Sequence, residues 1–134
     1  MSGRWWIVAG SAIAALAVLA GAFGAHGLKA QVADGRITAD QLDAFRTAAQ
    51  YQMLHAIGLV LVGLVARGMA ASKTIDAAGI AFLLGTILFS GSIYADVLLS
   101  AGLPPLLVPA GGLLFVTGWL LLAIAGWRGS SASG

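Results

Sequence analysis

The sequence lacks cysteine and glutamate, and it carries few charges of either sign. Its 134 residues include seven Lys and Arg and five acidic residues, all of them Asp, so that charged residues make up only 9% of the chain. Soluble domains contain roughly 25% charged residues. The absence of cysteine excludes disulfide bonds and thiolate metal sites. The net charge of +2 is small and its basic residues are scattered, which argues against a nucleic-acid-binding surface.

Apolar residues, in contrast, make up 60% of the chain. A soluble domain of this length could not remove so much apolar surface from water, whereas lipid solvates it directly. Four stretches approach the ~20 apolar residues that a helix needs to cross a bilayer. We place the four spans at about residues 5–28, 53–69, 77–99 and 106–127. The sequence therefore predicts an all-α membrane protein, an antiparallel bundle of four transmembrane helices in a single domain over residues 1–128. Residues 129–134 are Gly and Ser with one Ala, and we expect a disordered tail there.

The first span also has features of a secretory signal peptide. Arg4 precedes the apolar stretch, and the small residues Ala20, Gly21 and Ala22 lie within it. However, the stretch is longer than the ~7–15 apolar residues of a signal peptide. We therefore interpret it as a transmembrane helix.

A polar segment at residues 29–50 separates the first two spans. Thr38 and Gln41 have the spacing of a capping box at a helix start. Apolar residues follow at helical spacing, at Leu42, Phe45 and Ala49. Because nothing interrupts the pattern before Tyr51, we expect a short amphipathic helix that continues into the second span.

The distribution of basic residues indicates an orientation. With four spans, both termini and the second loop share one side, which collects Arg4, Arg67, Lys73 and Arg128. The opposite side collects Lys29, Arg36 and Arg46. Cytoplasmic loops carry an excess of Lys and Arg. The small difference favours a protein of the bacterial inner membrane with both termini in the cytoplasm.

Antiparallel threading gathers the polar side chains of the spans at one end of the bundle. Polar residues inside a membrane are costly, and they are by default hypotheses for a functional site. We propose from the threading a cluster for ligand or proton handling that contains His26, Tyr51, His55, Ser90, Ser92, Tyr94 and Asp96.

This cluster allows several chemical interpretations. His26 and His55 could bind a metal or haem, since imidazole is a common metal ligand. A simpler interpretation is that each histidine caps a helix end or hydrogen-bonds Tyr51, Ser92, Asp96 or a carbonyl group across the bundle. Asp96 could be buried against a histidine, or it could reach the membrane interface. A nucleophilic serine would need an adjacent base and an oxyanion hole, for which the spans offer little. We therefore expect neither a metal, nor a cofactor, nor catalysis.

Small residues and one proline accompany the cluster. Gly24 and Gly27 lie at the end of span one, where we expect them to allow close helix packing. Pro109, with Gly111 and Gly112, is expected to kink span four beside the cluster.

Several segments resemble the YgdD-like family, the domain of unknown function 423. They are residues 21–28 (GAFGAHGL), 51–56 (YQMLHA), 89–94 (FSGSIY) and 109–112 (PAGG), followed by Gly118 and Trp119. The resemblance covers nearly the whole chain, although Val108 stands where the family tends to have Thr. It implies four helices in a small inner-membrane protein, and it supports the same polar positions without supplying a reaction.

Two kinds of function remain open from the sequence. The first is a non-enzymatic accessory, assembly or interaction component, whose partners are the lipid bilayer and either other membrane proteins or further copies of itself. The second is a small transporter or channel for a proton, ion or solute, which would require an oligomer. A haem- or quinone-binding redox subunit is a third alternative.

Overall fold

The computed structural model describes residues 2–68 and 72–130, and the regular elements in these ranges are all helical. Four long helices follow one another: α1 (Gly3–Ala33), α2 (Ala39–Gly68), α3 (Lys73–Leu99) and α4 (Leu107–Ser130). Each is long and apolar enough to cross a membrane. This confirms the predicted all-α fold with four transmembrane helices.

The polar segment before the second span folds as the capping box predicts. The Thr38 hydroxyl accepts a hydrogen bond from the Gln41 amide at 3.1 Å, and the Gln41 side chain accepts one from the Thr38 amide at 2.9 Å. Gly35 turns the chain with a positive φ of 70°. The amphipathic helix then continues without interruption into the second span, as part of α2.

The other boundaries differ slightly from the expected ones. The first helix does not end at Leu28 but continues to Ala33, through a π-helical turn at Gly24–Leu28. Its last residues therefore lie beyond the apolar stretch that hydropathy identifies. The tail was expected from residue 129, yet α4 continues to Ser130, and residues 131–134 lie outside the described part of the chain. The same holds for Met69, the expected end of the second span.

Close contact between α1 and α2 depends on small residues. A Cβ atom on Gly10 would lie 2.7 Å from the Ala56 carbonyl oxygen, and one on Gly63 would lie 2.6 Å from the Gly3 carbonyl oxygen. The two antiparallel backbones therefore approach more closely than side chains would permit. In a membrane, where lipid is as apolar as leucine, such packing is a main source of helix association.

The α3–α4 pair uses glycine in a similar way. A Cβ atom on Gly111 of α4 would lie 2.5 Å from the Phe89 amide nitrogen in α3. Gly118 lies against the ring of Phe82, and Gly85 against the ring of Phe115. Helix α2 also packs against α3, so each helix packs mainly against the helix that precedes or follows it in the chain. In the most apolar stretch of α2, half of the residues are buried, whereas the buried share is 17% in the corresponding stretches of α1 and α4. Helix α2 is therefore the central helix.

One end of the bundle is closed by Trp6. This side chain is fully buried, and its ring lies where a Cβ atom on Gly79 would be. Its indole nitrogen donates a hydrogen bond to Asp76 of α3 at 3.0 Å. A core of apolar residues surrounds it and includes Leu59, Val62, Ile75, Ala78, Phe82, Phe115 and Ala125. The half of the bundle nearest the chain termini is therefore tightly packed.

We expect Gly10→Ala to destabilise the protein by about 1–3 kcal/mol, because the added methyl group overpacks the α1–α2 contact. The measurement is the free energy of unfolding in mixed detergent micelles. Gly126→Ala is the matched control, since nothing lies within 4 Å of a Cβ atom there. Equal stability of the two variants would contradict the close contact.

Candidate functional site

Buried His55 is the centre of an aromatic cluster between α2, α3 and α4. Only 2% of its surface is exposed. Its Nδ1 atom lies 2.7 Å from the Tyr51 carbonyl oxygen, one turn earlier in α2. Because a carbonyl oxygen can only accept, this hydrogen bond requires a proton on Nδ1. A backbone bond within α2 thus fixes the orientation of this histidine.

Rings from the neighbouring helices surround this histidine. The Phe115 ring stacks on the imidazole with its centroid 3.4 Å away and an interplanar angle of 6°. The Phe82 ring centroid lies 5.5 Å away and that of Trp119 lies 6.1 Å away. Tyr51 stacks on Phe89 at 4.8 Å. The imidazole therefore fills space within an apolar core.

A second polar centre, which the sequence analysis missed, is Gln52. Its side chain is 7% exposed. Its Oε1 atom accepts a hydrogen bond from the Tyr94 hydroxyl at 2.8 Å, and its Nε2 atom donates one to the Ile13 carbonyl oxygen at 3.0 Å. One amide thus connects α1, α2 and α3. The sequence does contain a signal for this centre. An uncharged amide inside an apolar span must find its hydrogen-bond partners within the protein.

Serine hydroxyls add further bonds to backbone carbonyl groups. Ser90 is almost fully buried and donates to the Ala48 carbonyl oxygen of α2 at 2.8 Å. It belongs to a second π-helical turn, Ile87–Gly91. Ser92 donates to the Leu88 carbonyl oxygen in its own helix. Both hydroxyls are thus engaged in structural bonds, and neither donates to a histidine.

The predicted cluster is therefore divided rather than continuous. Tyr51 and His55 belong to the aromatic cluster, while Ser90 and Tyr94 belong to the bonds around α2. His26 is exposed on the π-helical turn of α1, so the expectation that it joins His55 is wrong. The helical rotation that places a side chain inside or outside the bundle is not visible in a span that is apolar on every side.

Asp96 lies near the C-terminal end of α3. Its side chain is exposed, and it accepts a hydrogen bond from the Gly102 amide at 3.2 Å. It thus holds the loop between α3 and α4 to the end of α3. Together with Ser92, Asp40 and the two prolines of the loop, it lines a cavity of about 340 Å³ at this end of the bundle.

The expected kink in α4 is also wrong. Pro109 lies in the first turn of the helix that begins at Leu107, where the backbone amides have no helical partner and proline is tolerated. Gly111 serves close contact with α3, whereas Gly112 faces open space. In α1, Gly24 lies beside the Phe45 ring of α2, whereas Gly27 lies beside the Phe23 ring of its own helix.

A lateral groove lies between α1 and α3. It has a volume of about 460 Å³, and Gln52, Ser90 and Tyr94 are among its lining residues. Leu16 of α1 and Ile87 of α3 also line it, and they are 58% and 57% exposed. The groove thus opens sideways, in the direction in which a membrane would lie.

Within the two described ranges, no group of three or more His, Cys, Asp or Glu side chains is placed to hold a metal ion. The remaining chemistry of the interior consists of amide, hydroxyl and imidazole groups. Every side-chain nitrogen or oxygen that is fully buried in the described residues has a hydrogen-bond partner. The polar groups of the interior thus hold helices together.

Comparison with known proteins gives the family. Residues 20–112 match DUF423, a family described as a protein of unknown function, and this match covers more than half of the chain. The chain belongs to the DUF423 family. The resemblance seen in the sequence motifs is thereby confirmed.

Proteins similar to this chain are named as membrane proteins. A UPF0382 membrane protein of Staphylococcus haemolyticus is 34% identical over 125 residues, which cover 93% of this chain and 97% of the relative. The UPF0382 membrane protein YwdK of Bacillus subtilis is 35% identical over 120 residues, covering 90% and 94%. No solved structure matches the chain. The chain is thus a membrane protein of an uncharacterised family.

We expect the Tyr94–Gln52 hydrogen bond to show a coupling energy of about 1 kcal/mol. The measurement is a double-mutant cycle of Tyr94→Phe and Gln52→Leu, with the free energy of unfolding in mixed micelles as the readout. Tyr94→Phe combined with Thr117→Val is the control, since Thr117 bonds only within α4 among the hydrogen bonds described. A coupling of zero for the first pair would contradict the bond.

Proposed function

We propose that this protein is a non-enzymatic accessory component of the bacterial plasma membrane, which binds the transmembrane helix of a partner protein. The lateral groove between α1 and α3 is the single observation that carries the proposal. It is a space between two helices that both pack on α2. The bacterial origin of the named relatives supports the location.

The chemistry of the groove suits a helix as its occupant. Its walls are almost entirely apolar, and the small residues Ala20 and Gly91 lie along them, so a helix backbone could approach closely. At its floor, Gln52 uses one of the two amide protons of its side chain in the bond to Ile13. The second proton is suited to a hydroxyl or carbonyl group on the arriving helix.

A catalytic role has less support. The serine hydroxyls donate to carbonyl groups, and the imidazole of His55 stacks on Phe115. A nucleophile would need a base within hydrogen-bonding reach. The same packing disfavours a path for ions through one subunit. The fully buried Trp6, Leu59 and Phe82 fill the half of the bundle nearest the termini.

Site-specific photo-crosslinking tests the groove directly. A benzophenone amino acid replaces Leu16 or Ile87 on the groove, and separately Leu120, which is 60% exposed on α4 away from it. We expect the two groove positions to give one shared, discrete protein adduct in native membranes, and the control position to give none. The partner is then identified by mass spectrometry.

The same experiment can overturn the proposal. Adducts with lipid alone at both groove positions would show that the groove is simply filled by the bilayer. An adduct with a second copy of this chain would show that the groove serves self-association and not the binding of another protein. Crosslinks of equal yield at all three positions would mean that the groove is not a preferred surface.

We further propose that both termini lie in the cytoplasm, because the end with the termini has four basic residues against three at the other. A reporter that is active only in the cytoplasm, fused after Ser130, should be active, whereas an enzyme that requires export should be inactive there. Fusions placed at Gly35, between α1 and α2, should give the reverse pattern. The opposite result at both sites would invert the topology.

A further inference from the structure

A second groove lies between α1 and α2, on the face away from the α1–α3 groove. It has a volume of about 480 Å³. Ala17 and Gly21 of α1 form one wall, and Ala49, Met53 and Ile57 of α2 form much of the other. A Cβ atom on Gly21 would meet nothing within 4 Å, so the space above this residue is open.

The length of this groove matches one leaflet of a bilayer. Its lining residues on α2 run from Arg46 to Ile57, which is about 16 Å along a helix at 1.5 Å per residue. Half of the hydrocarbon core of a bilayer is about 15 Å. An acyl chain occupies one leaflet, so the groove is long enough to hold one.

Arg46 lies at the polar end of the groove and is the one charged residue among those that line it. Its side chain is 43% exposed. Its Nη1 atom lies 3.5 Å from Asp43 Oδ1, which is the outer limit for a hydrogen bond. The planar guanidinium group has five donors and suits bidentate binding of a phosphate. Gln50, which also lines the groove, can supply a further donor.

The stem of the arginine is supported by α1. A Cβ atom on Gly24 would lie 3.8 Å from Arg46 Cγ, so the methylene groups pass over this glycine. A long cationic side chain commonly lies along apolar surface in this way while its charged group reaches the interface. The guanidinium is therefore held where the acyl groove meets the headgroup region.

We propose that this groove is a binding site for one phospholipid molecule, whose acyl chain lies between α1 and α2 and whose phosphate is bound by Arg46. Recognition is of the phosphate diester and not of a net negative headgroup, because Asp40 and Asp43 lie in the same part of α2. The site is on a different face from the partner groove and does not depend on it.

Native mass spectrometry of the delipidated full-length protein tests this site. The probes are dioleoyl phosphatidylglycerol, dioleoyl phosphatidylethanolamine and dioleoylglycerol, which has the same chains without a phosphate. We expect a one-to-one adduct with both phospholipids and little with dioleoylglycerol. Arg46→Gln should weaken both adducts about tenfold, as expected for the loss of charge-assisted hydrogen bonds. Arg36→Gln, at an exposed arginine outside the groove, should leave them unchanged.

A second pair of variants separates the groove from the charge. Gly21→Leu should fill the groove and abolish the adducts, while Gly112→Leu, which also faces open space but on α4, should retain them. Circular dichroism confirms helicity, and if Gly21→Leu does not fold, the arginine pair alone decides. Equal binding of dioleoylglycerol, equal losses within either pair of variants, or binding of phosphatidylglycerol alone would each overturn the proposal.

Discussion

Hydrocarbon offers no hydrogen bonds, so each polar group inside this bundle must find its partner within the protein. Gln52 shows what this constraint achieves. Its amide accepts from Tyr94 on α3 and donates to Ile13 on α1, and it therefore fixes the relation of three helices. Ser90 adds a bond to the Ala48 carbonyl oxygen on the same central helix. Two of the polar residues that the sequence presents as candidate chemistry, Ser90 and Tyr94, thus connect spans.

Apolar packing supplies the remaining attraction, and it depends on small residues because lipid competes equally for large ones. Gly10 and Gly63 bring α1 onto α2, and Gly111 brings α4 onto α3. Such contacts are strongest between successive helices. The outcome is an open arrangement in which α1 and α4 keep most of their surface for lipid or for partners.

Hydropathy and local motifs were sufficient to predict the helices, the capping box at Thr38 and Gln41, and the continuity of α2. These features depend on local physics, either transfer into lipid or hydrogen bonds within one turn. The candidate site was predicted less well. Antiparallel threading assigned its members to one end of the bundle. Threading indicates how deep each residue lies in the membrane, but not the direction in which its side chain points. His26 therefore turned out exposed, and Gln52 was overlooked beside the more familiar histidine.

The π-helical turns explain part of this difficulty. A π-helical turn accommodates one extra residue, so the side chains beyond it are rotated by about 100° relative to an uninterrupted α-helix. In α3 the turn Ile87–Gly91 lies between Phe82, which packs in the apolar core, and Tyr94, which bonds Gln52. If α3 were an uninterrupted α-helix over the same sequence, Phe82 and Tyr94 could not both face α2. The π-helical turn thus makes the site hard to predict from helical periodicity. It also gives α3 its second contact with the central helix, and the α1–α3 groove lies beside that contact.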